Sequence, residues 1–325
     1  MIERHIKPEV AAIFIDVARG RRGIYSDDAA FEELLAEAKA AFEAADPETV
    51  EIIRQFARAE VPDGGVLFHG LTVDQDDMGE SPRDPVAFEG KDRDPVTEAA
   101  LLAFASVAGE VFSFARQHRG ALIQNVTPIP GHEYDAVGTG SRSLLDWHSE
   151  DAFDDAPQFV GLFCVRGDER VQTALALVDR IDLSAEDEAV LRQPRFMHGI
   201  DKASGGTGRP EDGVQGAALY GEDGKRFVRI DMDCAAAVTG DDEAAAALQA
   251  FHDGADKEGI YVTLGAGDIL LFDNRRVMHA RTPFEPRYDG TDRWLQRVII
   301  TDDLGRSADR RINHPRVVEN ELVGA

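Results

Sequence analysis

The feature that most restricts the fold is a change of hydrophobic period about a third of the way along the 325-residue chain. Over the first 120 residues, apolar side chains recur every three or four positions among good helix formers, the pattern of amphipathic helices. "SDDAAFEELLAEAKAAFEAAD" reads as one helix with Ser26 as its cap, and "PETVEIIRQFARAE" as a second with Pro47 in its first turn. "PVTEAALLAFASVAGEVFSFARQH" reads as a third, more apolar and so more deeply buried. Beyond that point come short runs rich in Val, Ile, Leu and aromatics: "ALIQNVTPI", "FVGLFCVRG", "VQTALALVD", "GAALYGE", "RFVRIDMD", "IYVTLGAGDILLFDN" and "WLQRVIITDD". Two helices, "SAEDEAVLRQ" and "GDDEAAAALQAFHDGADKEG", interrupt them. So many strands are buried most economically in a sheet closed into a barrel or a two-sheet jelly roll. The expectation is one α+β domain over 1–325, with a mainly helical part (1–120) packed on a β core (121–305). The Gly-rich segment 201–216, "DKASGGTGRPEDGVQG", is expected to be a lid loop.

Composition excludes several function classes. Two cysteines, Cys164 and Cys234, rule out a disulfide framework and make a thiolate metal cluster improbable. A net charge of −26 repels nucleic acid and anionic membranes and attracts cationic small molecules, although an acidic surface also serves solubility alone. No apolar run is long enough to span a bilayer, and "MIERHIKPEV" carries no signal-peptide core, so a cytoplasmic protein is expected.

Two stretches carry chemistry. In "DWHSEDAF", His148 and Glu150 are two apart and would share a face of a strand. His279, in "GDILLFDNRRVMHARTPFEPRYDGTDRWLQR", is the best third ligand. Two histidines and one carboxylate make the facial triad of non-heme Fe(II) oxygenases, whereas the H-E-x-x-H of zinc proteases is absent. Arg293 and Arg297, four apart on the last strand, would face the same way and could hold two carboxylates, or simply neutralise neighbouring acids. Asp231 and Asp233, two apart in "RFVRIDMD", would converge on a cation, a guanidinium above all, unless both are solvated.

"WHSEDAF" together with "DNRRVMHARTPFEPRYDGTDRWLQR" resembles the clavaminate synthase-like branch of the Fe(II)/2-oxoglutarate dioxygenases, and within it the arginine β-hydroxylases of viomycin-type antibiotic biosynthesis. The resemblance spans roughly residues 100 to 305. It implies a double-stranded β-helix (jelly-roll, cupin-like) core with flanking helices, and Fe(II), 2-oxoglutarate and O2 as cofactor and co-substrates. It implies His148, Glu150 and His279 as iron ligands, and Arg293 with Thr173 as the grip on the distal carboxylate of 2-oxoglutarate. It assigns the substrate's α-carboxylate to Arg297, its α-amine to Gln117 beside Glu150, and its guanidinium to Asp231 and Asp233. The implied substrate is a free basic amino acid, arginine before lysine, hydroxylated at C3. Other free amino acids of the Asn/Gln type, desaturation and cyclisation remain alternatives on the same iron site. The glycine-rich loop "YDAVGTGSRS" departs from the family pattern where it borders the substrate. Partners other than this small molecule are not expected, and oligomeric state is left open.

Overall fold

"FVGLFCVR" has no apolar–polar alternation, so a strand made from it must be covered on both faces. In the computed structural model, which describes residues 1–151, 156–221 and 225–319, it is the strand Phe159–Arg166 near the middle of an eight-stranded sheet. In spatial order this large sheet holds Ile2–His5, Gly65–His69, Ile269–Asp273, Phe159–Arg166, Trp294–Thr301, Glu110–Phe114 and Val317–Val318. Gln124–Val126 pairs with Trp294–Thr301 as well. Phe159, Phe163, Val165, Ile269, Leu271, Val298 and Ile300 point outward, into a core shared with the N-terminal helices Pro8–Ala18, Asp28–Ala45, Pro47–Ala57 and Val96–Ala108. Val160, Leu162, Cys164, Leu270, Phe272, Leu295 and Ile299 point inward, as the two-residue period of a strand requires.

The inward face meets a second, antiparallel sheet of four strands, ordered Ile260–Val262, Thr173–Leu177, Val277–Arg281 and Leu145–His148. Leu175, Leu177 and Val277 fill the space between the sheets. Ala174, Ala176, Met278 and Ala280 face away, under the helices Ala185–Leu191 and Asp242–Glu258. The order is therefore helices, large sheet, small sheet, helices. The chemistry sits between the sheets, where the inward rows change from Leu and Val to His, Arg and Thr.

Three local expectations change. Asp27, not Ser26, caps the helix Asp28–Ala45, its carboxylate accepting from the Ala29 and Ala30 amides. The 95–118 stretch is not one helix: it stops at Ala108, and Glu110–Phe114 is a strand of the large sheet. A Cβ on Gly109 would overlap the Thr301 carbonyl oxygen, so glycine is required where helix gives way to strand. "IYVTLGAGDILLFDN" forms two strands, one in each sheet, joined through a turn at 266–267. Three strands from the first 120 residues are thus part of the large sheet, with the helices on its outer face.

One buried polar knot ties the helical layer to the strand that bears Arg297. Glu98 is fully buried and accepts from Arg93, from Tyr25 Oη at 2.8 Å and from Gln296 Nε2 at 2.8 Å. Burial alone would raise its carboxyl; Arg93 outweighs that and holds it below the ordinary value. Removing the cation leaves a buried, unpaired charge. Arg93→Ala is expected to lower the unfolding free energy by about 3–5 kcal/mol in denaturant titrations.

Candidate metal centre and substrate cavity

His148 ends an edge strand and His279 lies opposite it on the neighbouring strand. Their ring centroids are 3.9 Å apart. The His148 Nδ1 is 2.7 Å from the Asp146 carbonyl, an acceptor, so Nδ1 carries the proton and Nε2 is left as ligand. The His279 ring packs on Phe272, with centroids 4.7 Å apart. Burial, together with His148, holds His279 down at about 4, so it is neutral at physiological pH. Glu150 lies past the end of the strand, not on it, and reaches the pair from a bend. Its Oε1 is 3.5 Å from His279 Nε2. One ligand atom from each of the three side chains lies within 4.8 Å of the other two, and all three residues are buried. Burial works to raise the Glu150 carboxyl, but Arg297 and the two histidines outweigh it and keep it ionised. Two imidazole nitrogens and an ionised carboxylate are a fitting donor set for Fe(II).

Arg297 lies on the inward row of its strand with Leu295 and Ile299. Its Nη1 donates to Glu150 Oε1 at 2.5 Å, and its Nε and Nη2 both donate to Gln124 Oε1, from the strand alongside. Arg293 immediately precedes that strand, fully enclosed, with Nη2 3.2 Å from Thr173 Oγ1. Burial lowers its pKa, and among the described residues no carboxylate lies within 4.0 Å of it. A buried guanidinium with a hydroxyl but no anion beside it fits a carboxylate of a bound small molecule.

Next to the triad is a cavity lined by Gln117, Asp151, Asp201, Asp231 and Arg297 together with residues 136–138. Gln117 Nε2 donates to both Asp151 oxygens, at 2.8 and 3.0 Å, and to Ser204 Oγ at 2.8 Å. Its Oε1 is buried without a partner, an acceptor free for a ligand's N–H. Burial, then Glu150 and Asp201, pushes Asp151 up to about 7; burial, then Asp233 and Asp201, raises Asp231. Crowded carboxyls of this kind are relieved by a cation placed among them. Lys202 Nζ to Asp135 Oδ1, 2.6 Å, joins the 201–216 segment to the loop on the other side of the cavity.

Asp233 is not where its spacing suggested. The strand Phe227–Val228 pairs with Leu219–Tyr220 in a small separate sheet; the backbone beyond it runs briefly beside the His148 strand, where Asp231 bridges His148, and turns at 232–234. Asp231 Oδ1 accepts from the Asp233 amide at 3.0 Å, so the two carboxylates do not share a strand face. Asp231 lines the cavity, whereas Asp233 Oδ2 accepts from the Asp146 amide at 2.9 Å. Three contributors carry no motif. Asp201 lines the cavity, Gln124 fixes the Arg297 guanidinium, and Asn274 clamps Glu150. The Asn274 side chain accepts from the Glu150 amide at 2.7 Å and donates to the Glu150 carbonyl at 3.0 Å. The "DN" that closes the Ile269–Asp273 strand was the available signal for the last. Ala152 and Phe153 of the first motif lie outside the described residues.

A buried triad of this composition between two facing sheets defines a non-heme iron oxygenase. The family model for "Taurine catabolism dioxygenase TauD, TfdA family" matches residues 213–299. The chain is 31% identical over 287 residues to the enduracididine β-hydroxylase of Streptomyces hygroscopicus, covering 78% of this chain and 82% of that protein. It is 35% identical over 261 residues to the L-asparagine oxygenase of Streptomyces coelicolor (79% and 76%) and 34% identical over 254 residues to clavaminate synthase 2 of Streptomyces clavuligerus (74% and 75%). Among solved structures, asparagine oxygenase with Fe(II), hydroxyasparagine and succinate superposes with a TM-score of 0.87 at 28% identity, over 99% of this chain and all of the other. The non-heme iron oxygenase OrfP with Fe and α-ketoglutaric acid gives 0.84 at 30% identity, over 98% of this chain and all of the other. The chain belongs to the clavaminate synthase-like family of Fe(II)- and 2-oxoglutarate-dependent oxygenases. No helix among the described residues is long and apolar enough to cross a membrane.

Asn274→Ala removes buried hydrogen bonds that fix the Glu150 backbone. It is expected to cost about 2–4 kcal/mol of stability and to raise the midpoint of an anaerobic Co(II) titration relative to the unsubstituted protein.

Proposed function

We propose that this chain hydroxylates C3 of a free basic L-amino acid, with L-arginine the first candidate and L-lysine the second. The observation that carries the reading is the cavity lining: Asp151, Asp201 and Asp231 stand beside the triad, and Arg297 is the lone Lys or Arg among the described lining residues. Such a lining suits a ligand with one carboxylate and two cationic groups. The relatives named above, an enduracididine hydroxylase and an asparagine oxygenase among them, support an amino acid as the ligand. The two facing sheets are read as a double-stranded β-helix, and the 201–216 segment as a lid whose Lys202–Asp135 ion pair closes over the cavity.

In this reading His148, Glu150 and His279 hold Fe(II). Arg293, with Thr173, takes the distal carboxylate of 2-oxoglutarate, the anion that its burial calls for. Arg297 binds the substrate α-carboxylate, and Gln124 keeps its guanidinium from turning away. The unpartnered Gln117 Oε1 accepts from the α-ammonium, with Glu150 nearby. Asp231 and Asp201 hold the side-chain cation, and Asp233 acts from outside the cavity by fixing the Asp146 backbone. When bound, iron, 2-oxoglutarate and O2 supply an oxidant strong enough for an aliphatic C–H bond, with succinate and CO2 as co-products. The protein anchors the substrate at both ends, keeps water out and presents one methylene to the metal.

With Fe(II) and 2-oxoglutarate, succinate release is expected to be stimulated by L-arginine above a panel of other free amino acids. Release that no amino acid stimulates contradicts the reading, and the mass of the product separates hydroxylation from desaturation or cyclisation. Asp231→Ala is expected to reduce kcat/KM for arginine by roughly 100-fold or more, the scale of a lost buried charge pair, and to affect a neutral amino acid much less. Equal losses on both would remove the assignment of Asp231 to the side-chain cation.

A further inference from the structure

The strand that carries His148 is poorly held by its own sheet. Leu145–His148 is four residues long and lies at the edge of the small sheet, paired with Val277–Arg281 on one side and bridged on the other only by the short segment 230–232, where the Met232 amide donates to the Trp147 carbonyl at 3.0 Å. The pairing with Val277–Arg281 is irregular, with a register shift between His279 and Arg281, so the backbone ladder alone leaves the strand loosely positioned. A metal ligand on such a strand needs support from elsewhere.

The support comes from the helix Asp242–Glu258, on the face of the sheet away from the metal. His252, in the middle of that helix, has Nε2 3.0 Å from each oxygen of the Asp146 carboxylate. One turn further on, Asp256 Oδ1 accepts from Trp147 Nε1 at 2.7 Å. The Trp147 ring is fully buried, and it lies so near the helix end that a Cβ on Gly259 would meet it at 2.9 Å. The helix thus grips two successive residues, Asp146 and Trp147, immediately before the ligand. Asp146 also accepts the Trp147 amide on Oδ1 at 2.7 Å, and Asp233 holds the Asp146 amide. What this fixes is the Asp146 carbonyl, which accepts the His148 Nδ1 proton at 2.7 Å and so sets both the tautomer and the ring plane of the ligand.

We propose that His252 is a positioning residue for the iron site: through the Asp146 carboxylate it locks the carbonyl that orients His148. This concerns the metal centre and does not depend on which amino acid is the substrate. Its absence would leave substrate selectivity intact, and an error about the substrate would leave it standing.

The test is anaerobic Co(II) binding, alone and without substrate. It is followed by competition with a chromophoric chelator and by the ligand-field absorption of bound Co(II), alongside thermal unfolding of the metal-free chain. His252→Ala and Asp146→Ala are each expected to weaken Co(II) binding by roughly 10-fold to 100-fold, the usual reach of groups that orient a ligand, and to alter the absorption envelope. The double variant is expected to bind no more weakly than Asp146→Ala, because the two act in series. His252→Gln, whose amide can still donate to Asp146, is expected to recover most of the affinity. Should the alanine variants fail to fold, His252→Gln and His252→Asn decide the matter, since only the longer side chain spans the gap to Asp146. Equal Co(II) affinity and an unchanged spectrum in folded variants, whatever their melting temperature, would overturn the proposal. So would additive losses in the double variant.

Discussion

Everything in the site depends on one cross-strand pair: His279 opposite His148 at the edge of a small antiparallel sheet. Their ring centroids are 3.9 Å apart, and burial keeps His279 neutral. That leaves two imidazole lone pairs beside an ionised Glu150, a combination that a divalent cation stabilises and little else does. The surrounding architecture serves this pair. The large sheet brings Arg297 against Glu150, Phe272 against His279 and Asn274 against the Glu150 backbone, while a helix on the far side of the small sheet holds the strand that ends in His148.

The second constraint is charge. Glu150, Asp151, Asp201 and Asp231 crowd one cavity, and Arg297 is shared between Glu150 and Gln124. Desolvated carboxylates this close destabilise the empty protein, and Asp151 and Asp231 bear the effect as raised pKa values. A cation bound among them offsets part of the excess, and in the proposed reading that relief favours a ligand bearing positive charge there.

The triad and the two arginines were legible in the sequence as motifs, although Glu150 reaches the site from a bend beyond its strand and Arg293 from the residue just before Trp294–Thr301, whose inward row carries Arg297. The two-sheet core was legible from apolar runs without alternation, since a strand buried on both faces leaves that mark. The Asp231–Asp233 pair was not legible in this way. Period two holds only while the chain stays extended, and a turn at 232–234 sends the second carboxylate to a backbone amide. Gln124, Asn274 and His252 could not be found from spacing at all. Each acts on a residue between 106 and 173 positions away, through contacts that exist only once the sheets and helices have packed. The break after Ala108 was hidden for a related reason: "GEVFSF" continues an apolar pattern, and what ends the helix is the close approach of Thr301 to Gly109.

The most direct measurement is an anaerobic crystal structure with Fe(II), 2-oxoglutarate and L-arginine. The metal is expected on His148, Glu150 and His279, the distal carboxylate of 2-oxoglutarate on Arg293, and the amino acid carboxylate on Arg297. The guanidinium is expected between Asp201 and Asp231, with C3 the carbon nearest the metal. Arginine bound in the reverse sense, with its guanidinium at Arg297, or excluded from the cavity while a neutral amino acid binds, would contradict this arrangement.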